Sequence, residues 1–368
     1  MIHLTHYRTA YSTTVELMED NIFPQKVHWF PETFERLKSG MFYVPHRLAE
    51  KVLDPVLVKE LRENRVGKTA FILASGNSHF AGINPRSTKP TRLSYEYKFL
   101  PFSLTQVYAG RTAQALGATD HVVTDATACA SSLKALMDVQ TLINHYGFKR
   151  VIVLTVEDAV SNSVLEFFGE AKASLTQKEE NLGIKPSAFD DTNYGFYVGQ
   201  GAALAVFESS DVSENPIAIL KGAYTASEDH SNAIGQREDG QGFIRAIEGV
   251  LDIASTPAEH ISIVKTHGTG TKSNNVAEKA ALAYTLDGYV ATAYKQKIGH
   301  TMGASGLLET LMLIDNIIAD EIVPCIANRT AYDEVFLSED IKAPQGDILS
   351  LAAGMGNVYS AAVLSLEI

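Results

Sequence analysis

The sequence predicts an α/β protein made of two successive halves with similar element order. Three observations lead there. A strand–helix–strand unit occupies residues 121–156, the same alternation resumes after the polar stretch DVSENP (211–216), and 368 residues are enough for two domains or one duplicated architecture.

The elements follow in order. Residues 51–66 (KVLDPVLVKELRENRV) carry apolar side chains at near-helical spacing with charges between them, which predicts a helix. TAFILASG (69–76) reads as a buried strand ending at a glycine turn, and FSLTQVYAGRTAQALG (102–117) as a second helix. A strand at 121–125, a helix over about 129–145 and a strand at 150–156 then form a parallel βαβ unit, whose crossover is right-handed. QGAALAVFES (200–209) closes the first half as another strand. The second half opens with the strand IAILKGAYTAS (217–227), followed by a helix at 241–256 and a strand at 261–266. A helix over about 275–286, a short strand near 289–293 and a helix over about 303–318 come next. A glycine turn at 354–356 and the terminal strand SAAVLSLEI complete the chain. The expected division is 1–212 and 213–368; the two parts share element order but no strong sequence repeat.

Composition narrows the function classes. Hydrophobic residues make up 45% and charged residues 20%, as in ordinary globular proteins. A net charge of −12 gives no electrostatic support for nucleic-acid binding at the level of the whole chain. Two cysteines, Cys129 and Cys325, are too few for a disulfide framework and are expected to be reduced. The first twenty residues lack a basic segment followed by an apolar core, and no apolar run is read as approaching the ~18–20 residues of a membrane span. The expectation is a soluble cytoplasmic protein.

Cys129 lies where a strand-like run stops and a helical run begins, in VVTDATACASSLKAL (122–136). At the first turn of a helix, free backbone N–H groups and the positive end of the dipole stabilise an anion, so a thiolate there should have a lowered pKa. Leu133, Leu136, Met137, Gln140, Ile143 and Asn144 share one stripe of that helix, which places it against the core. The small neighbours Ala128, Ala130, Ser131 and Ser132 let a substrate approach. The segment alone is equally compatible with a small buried hydrophobe, the commonest role of a free cysteine.

Two histidines stand in glycine-rich turns. His267 follows a strand in VKTHGTGTKSNNVAE, and His300 precedes a helix in YKQKIGHTMGASGLLE, five residues after Lys295. Imidazoles so placed can reach a shared cleft and donate hydrogen bonds or move protons near neutral pH. A lone loop histidine is more often structural, and the Gly-Thr-Gly-Thr run lacks the spacing of a nucleotide loop. A zinc site of Cys129, His267 and His300 has no close ligand pair to support it, so no metal is expected.

Taken together, TACASSL, THGTGT and K…GHTMGASG resemble, in order and approximate spacing, three motifs of the β-ketoacyl synthase family, the thiolase-fold condensing enzymes of fatty-acid and polyketide synthesis. The resemblance is strongest from about 105 to 310; THYRTAYSTTVE stands where the family's opening strand lies. It implies a thiolase-like fold, two mixed five-stranded sheets with helices packed as an αβαβα sandwich. It also implies a Cys-His-His enzyme. Cys129 would take an acyl group from a phosphopantetheine thiol as a thioester. His267 and His300 would hold the carbonyl of a malonyl thioester as it loses carbon dioxide, and the carbanion would attack the acyl-cysteine. Two neutral imidazoles suit a developing enolate, which needs donors aimed at its oxygen.

By the same resemblance Lys295 supports the histidines, Thr269 and Thr271 hydrogen-bond the pantetheine arm, and Glu309 is structural behind His300. No cofactor is held permanently; the phosphopantetheine arrives on an acyl carrier protein. That partner is usually acidic, so a basic patch is sought in Arg62, Arg65 and Lys68 or in Lys149 and Arg150, each of which is also read as a plain solvated face. The family's homodimers suggest the same here, with a heterodimer beside a related subunit left open. The segment 80–105 is a candidate cap or interface loop.

The chain departs from the family at several points. GMGNVY (354–359) stands where Gly-Phe-Gly-Gly-x-Asn is usual, so Met355 replaces a gating phenylalanine, Asn357 a glycine and Tyr359 an asparagine. Asn274 and Asn275 replace Gly-Asp, and Gln200 replaces an acid. Competing readings are an acyltransferase or thioester hydrolase on the same scaffold, and a chain-length-setting partner subunit. A thiolase would need a second cysteine in the glycine turn, and Cys325 lies outside it.

Overall fold

Ten principal strands organise the chain in the computed structural model, which describes residues 1–18, 24–28, 30, 48–76, 105–160, 162–330 and 334–366. The first five are β1 (Ile2–Tyr11), β2 (Thr69–Ala74), β3 (His121–Asp125), β4 (Arg150–Asp158) and β5 (Val198–Ser209). The second five are β6 (Ala218–Ser227), β7 (Ile261–Lys265), β8 (Val290–Thr292), β9 (Asp347–Gly354) and β10 (Val358–Ser365). Their spatial order is β3-β2-β4-β5-β1, then β6-β10-β9-β7-β8, so each half repeats the same arrangement in mirrored sequence along the path. β2 pairs in parallel with β3 and β4, and β7 with β8 and β9; β5 runs antiparallel to β4 and β1, and β10 antiparallel to β9 and β6. The two groups join where Ile2–Leu4 of β1 pairs with Ala218–Leu220 of β6.

Strands with both faces buried read as continuous apolar runs, and β2 and β4 are buried at every residue. Successive side chains point to opposite faces. Ala70, Ile72 and Ala74 therefore enter the central core, while Phe71 and Leu73 face the outer helices α1 (Pro55–Glu63) and α2 (Thr105–Leu116). On the far side α4 (Gln241–Ala254) and α5 (Lys272–Thr285) cover the second group of strands. Between the groups lie α3 (Ser131–Tyr146) and α6 (Ser305–Asp320), each touching strands of both halves. Helix, sheet, helix, sheet, helix is the five-layer order expected.

The structure adjusts several expectations. α1 is shorter than 51–66 because Asp54 caps it, accepting from the Val56 N–H at 2.7 Å, with Pro55 at its first position. α3 and α6 each begin after a 3₁₀ turn, Ala128–Ala130 and Met302–Ala304. There a repeat hidden in the sequence emerges: Thr127-Ala128-Cys129-Ala130-Ser131-Ser132-Leu133 aligns with Thr301-Met302-Gly303-Ala304-Ser305-Gly306-Leu307. Ala128 (φ 48°) and Met302 (φ 43°) occupy the same left-handed conformation at equivalent places. One helical run, Met302–Asp320, is long and apolar enough over 19 residues to resemble a membrane span, contrary to the sequence reading, but 78% of its apolar window is buried as the central layer.

The basic clusters are also resolved. Arg150 is buried against Glu208 at 2.7 Å, and Lys149 pairs with Asp211. Arg62, Arg65 and Lys68 are exposed, but Lys68 directly precedes β2, whose opposite end leads to Gly76 beside the Cys129 turn. Neither cluster borders the cleft. The candidate cap at 80–105 lies, except for Thr105, outside the described residues.

Candidate active site

Open α/β sheets collect ligands at the carboxyl ends of their parallel strands, and every site segment here leaves such an end. The Cys129 turn follows β3, His267 follows β7, the turn holding Lys295 and His300 follows β8, and the Met355 turn follows β9. One cleft of about 620 Å³, including its open mouth, is lined by Cys129, His267, His300, Thr269, Thr271 and Met355. Lys295 and Glu309 sit behind it, fully buried.

Cys129 is held in the 3₁₀ turn ahead of α3 rather than inside the helix. Ser131 Oγ clamps this turn, accepting from the Thr127 N–H at 2.9 Å and donating to the Ala128 carbonyl at 2.6 Å. Its thiol lies 3.9 Å from the sulfur of Met302, the residue equivalent to Ala128 in the other half. The sequence reading expected a lowered thiol pKa. Burial instead pushes the Cys129 thiol up to about 12, with the Lys295 ammonium opposing and Glu157 and Glu309 adding to the rise. At rest Cys129 is a thiol. Below that pKa the thiolate fraction climbs with pH, so iodoacetamide labelling of Cys129 in a Cys325→Ser background is expected to rise ~tenfold per pH unit from pH 7 to 9. Mass spectrometry of the labelled chain checks this; a plateau by pH 8 would contradict it.

The imidazoles of His267 and His300 meet edge to face with centroids 5.7 Å apart, and Phe196 packs on His300 at 5.0 Å. The Met302 N–H donates to His300 Nδ1 at 3.2 Å, so the neutral ring carries its proton on Nε2. His267 Nδ1 is buried and has no hydrogen-bond partner among the described residues. Both rings are held well below the usual histidine pKa, chiefly by burial and then by the nearby Lys295 and Lys265 ammoniums. As pH falls through 6.5 they stay neutral and keep an N–H to donate.

Their backbone is fixed by buried charge. Glu278 of α5 accepts from the His267 N–H at 2.5 Å, the Gly268 N–H at 2.9 Å and the Asn274 side chain at 2.8 Å. Lys295 donates to the His267 carbonyl and to both Glu309 oxygens at 3.0 and 3.1 Å. Lys265 adds a second ammonium, 3.4 Å from Glu309 and 2.7 Å from the Leu351 carbonyl. Sequence reasoning missed Lys265 and Glu278. Their signals were available: a lysine ending an apolar strand two residues before His267, and an acid within the otherwise apolar Ala277, Ala281, Leu282 face of α5. Glu157, at the end of β4, was also missed; it accepts from Gly76 N–H at 2.6 Å and Gly303 N–H at 3.2 Å.

In the Gly-Thr-Gly-Thr loop the Thr269 and Thr271 hydroxyls are 3.0 Å apart. Gly270 has φ 75°, and its carbonyl accepts from the Gly195 N–H at 2.9 Å. A Cβ at Gly270 would overlap the Ser187 carbonyl. Gly270→Ala is therefore expected to cost at least about 2 kcal/mol, from a left-handed alanine plus backbone overpacking. Urea unfolding checks it.

The departures from the family pattern have local explanations. Asn357 takes φ 62°, a conformation asparagine tolerates nearly as glycine does, and donates to the His230 carbonyl at 2.8 Å. The Tyr359 ring fills the space above Gly242, where no Cβ fits, and its hydroxyl donates to Glu228 at 2.5 Å. Gln200 donates to Asp158 at 2.6 Å; an acid there would set two carboxylates together. Cys325 is half-buried, its N–H bonded to Asp340 at 2.7 Å, and it does not line the cleft.

Residues 53–212 match the family model for the beta-ketoacyl synthase N-terminal domain, and residues 217–329 the model for its C-terminal domain. A 3-oxoacyl-[acyl-carrier-protein] synthase 2 of Synechocystis is 27% identical over 239 residues, covering 62% of this chain and 56% of that protein. The tetracenomycin polyketide synthase ketoacyl synthase alpha subunit of Streptomyces glaucescens is 29% identical over 285 residues, covering 73% and 64%. The matched stretch thus spans less than two thirds of either relative. Among solved structures, a type II polyketide ketosynthase in complex with its acyl-carrier protein aligns over 100% of this chain and 99% of its own, with TM-score 0.83 at 17% identity. A ketosynthase with its chain length factor from Xenorhabdus doucetiae aligns over 99% and 98%, with TM-score 0.76 at 17% identity.

Proposed function

Because the chain belongs to the beta-ketoacyl synthase family, we propose that it catalyses decarboxylative condensation of a malonyl thioester with an acyl group held on Cys129. The observation that carries this reading is the meeting of a buried thiol with two uncharged imidazoles in one cleft.

In the first step the Cys129 sulfur attacks an acyl thioester, the carrier thiol leaves, and the cysteine proton passes to it. In the second, a malonyl thioester loses carbon dioxide, and its enolate oxygen is held by His300 Nε2–H and by His267. The enolate carbon attacks the acyl-Cys129 carbonyl, the cysteine sulfur leaves as thiolate and takes a proton from solvent, and a 3-oxoacyl thioester two carbons longer results. Desolvated donors aimed at the developing oxyanion supply most of the rate. The Cys129 N–H and an N–H of the Met355 turn would hold the oxyanion of the acyl-transfer step. Phe168, Phe196, Ile234 and Met355 give the acyl chain an apolar wall.

The thioesters would come on the phosphopantetheine of an acyl carrier protein, with its arm passing Thr269 and Thr271. β3 ends the strand path with His121 exposed and Val122–Thr124 half-buried, which favours pairing with a second copy or a related subunit. Light scattering of the purified chain reads that state.

Incubation with a panel of acyl carrier protein thioesters, followed by intact mass, tests the function, with Cys129→Ala as control. Acylation at Cys129 that clears on adding malonyl carrier protein, with a 3-oxo product, supports condensation and identifies the starter. Acylation that clears only to free acid replaces it with a hydrolase.

A further inference from the structure

The buried base of the site contains one more cation than the histidine motifs require. Lys265 is the last residue of β7, two before His267, and is fully buried. On α6 it meets Glu309, from the 295–298 turn Lys295, and from α5 the field of Glu278. Tyr294 also lies within the field of Glu309, while His267, His300 and the Cys129 thiol lie on the cleft side of Lys295. Two ammoniums therefore stand against two carboxylates in a region without solvent. A buried charge left without its counterpart is strongly unfavourable, and remaining carboxylate charge would draw protons to the nearest bases.

We propose that Lys265 is a positioning residue of this site: its ammonium balances Glu309 and Glu278, thereby keeping His267 and His300 uncharged, and its bond to the Leu351 carbonyl ties the histidine strand to the strand that feeds the Met355 turn. β7 and β9 are neighbours in parallel register, with Ser350 opposite Lys265, so the bond spans adjacent strands just before both enter the site. The inference rests on the condensing reading for its kinetic consequence, but its electrostatic part concerns the resting protein alone.

The test uses Lys265→Met, which removes charge and donor, and Lys265→Gln, which removes the charge but keeps a donor for Leu351. Imidazole ¹⁵N chemical shifts of His267 and His300 are followed against pH in the intact chain, alongside malonyl-thioester decarboxylation. The expected result is that both variants raise the histidine pKa values by about one unit and move the acid limb of decarboxylation upward by the same amount. Loss of stability in Lys265→Met with wild-type histidine titrations in Lys265→Gln would overturn the proposal and leave Lys265 a structural tie. Shifted titrations with no decarboxylation by the wild type would uphold Lys265 and overturn the condensing reading instead.

Discussion

Replacing Glu309 with leucine is expected to lower folding stability by about 3–5 kcal/mol, because two buried ammoniums lose the carboxylate they share. Glu309, Lys265 and Lys295 are all without solvent exposure. Lys265 has less to lose: burial has already drawn its pKa down to about 8, so it can shed its proton where Lys295 remains bonded to the His267 carbonyl. The destabilisation should therefore ease as pH rises through 8, and it should shrink further when Lys265→Met is added to Glu309→Leu. Urea titrations at pH 7 and pH 9 on the single and double variants measure both effects. Equal losses at both pH values, with no rescue, would show that the cost comes from packing and not from charge.

A second large effect is expected on the reaction. On the proposed mechanism His300→Ala removes one of the donors for the enolate oxygen, and loss of such a donor costs about 10²–10³ in rate. Transfer of the acyl group to Cys129 should survive, since that step draws on backbone donors at the nucleophile turn. The variant should accumulate acyl-enzyme in the presence of malonyl carrier protein, readable by intact mass, while carbon dioxide release falls. The fold should tolerate the change: the His300 backbone stays bonded through its N–H to the Tyr197 carbonyl at 2.7 Å and through its carbonyl to the Gly199 N–H at 3.0 Å. Loss of both steps together would mean that His300 also serves the acyl transfer.

Most of the architecture was legible because several strands, β2, β4 and β5 above all, are buried on both faces, and burial of that kind leaves an apolar signature. Short pieces were not. The strands Val15–Met18 and Gln25–His28 and the helix Gln177–Asn181 are too short for periodicity to show, and the nine-residue helix Asn162–Glu170 went unread. The duplicated turn at Thr127 and Thr301 was invisible because its identities are interrupted, Cys129 matching Gly303 and Ser132 matching Gly306. It takes the paired positions of α3 and α6 in the central layer to align them.

Residue pattern drew attention to Cys129, His267 and His300, the motif resemblance added Lys295, Thr269, Thr271, Met355 and Glu309, and all of them converge on one cleft or its base. Those features are local, since a motif carries its turn with it. The protonation of the site was decided at long range. A helix-start cysteine reads as acidic in isolation, yet Cys129 is enclosed by segments more than a hundred residues away and its thiol is held up to about 12. The role of Lys265 is likewise set by Glu309 and Leu351, 44 and 86 residues distant. Desolvation and charge balance depend on which segments fold over a group, and that information exists only when the two halves are packed together.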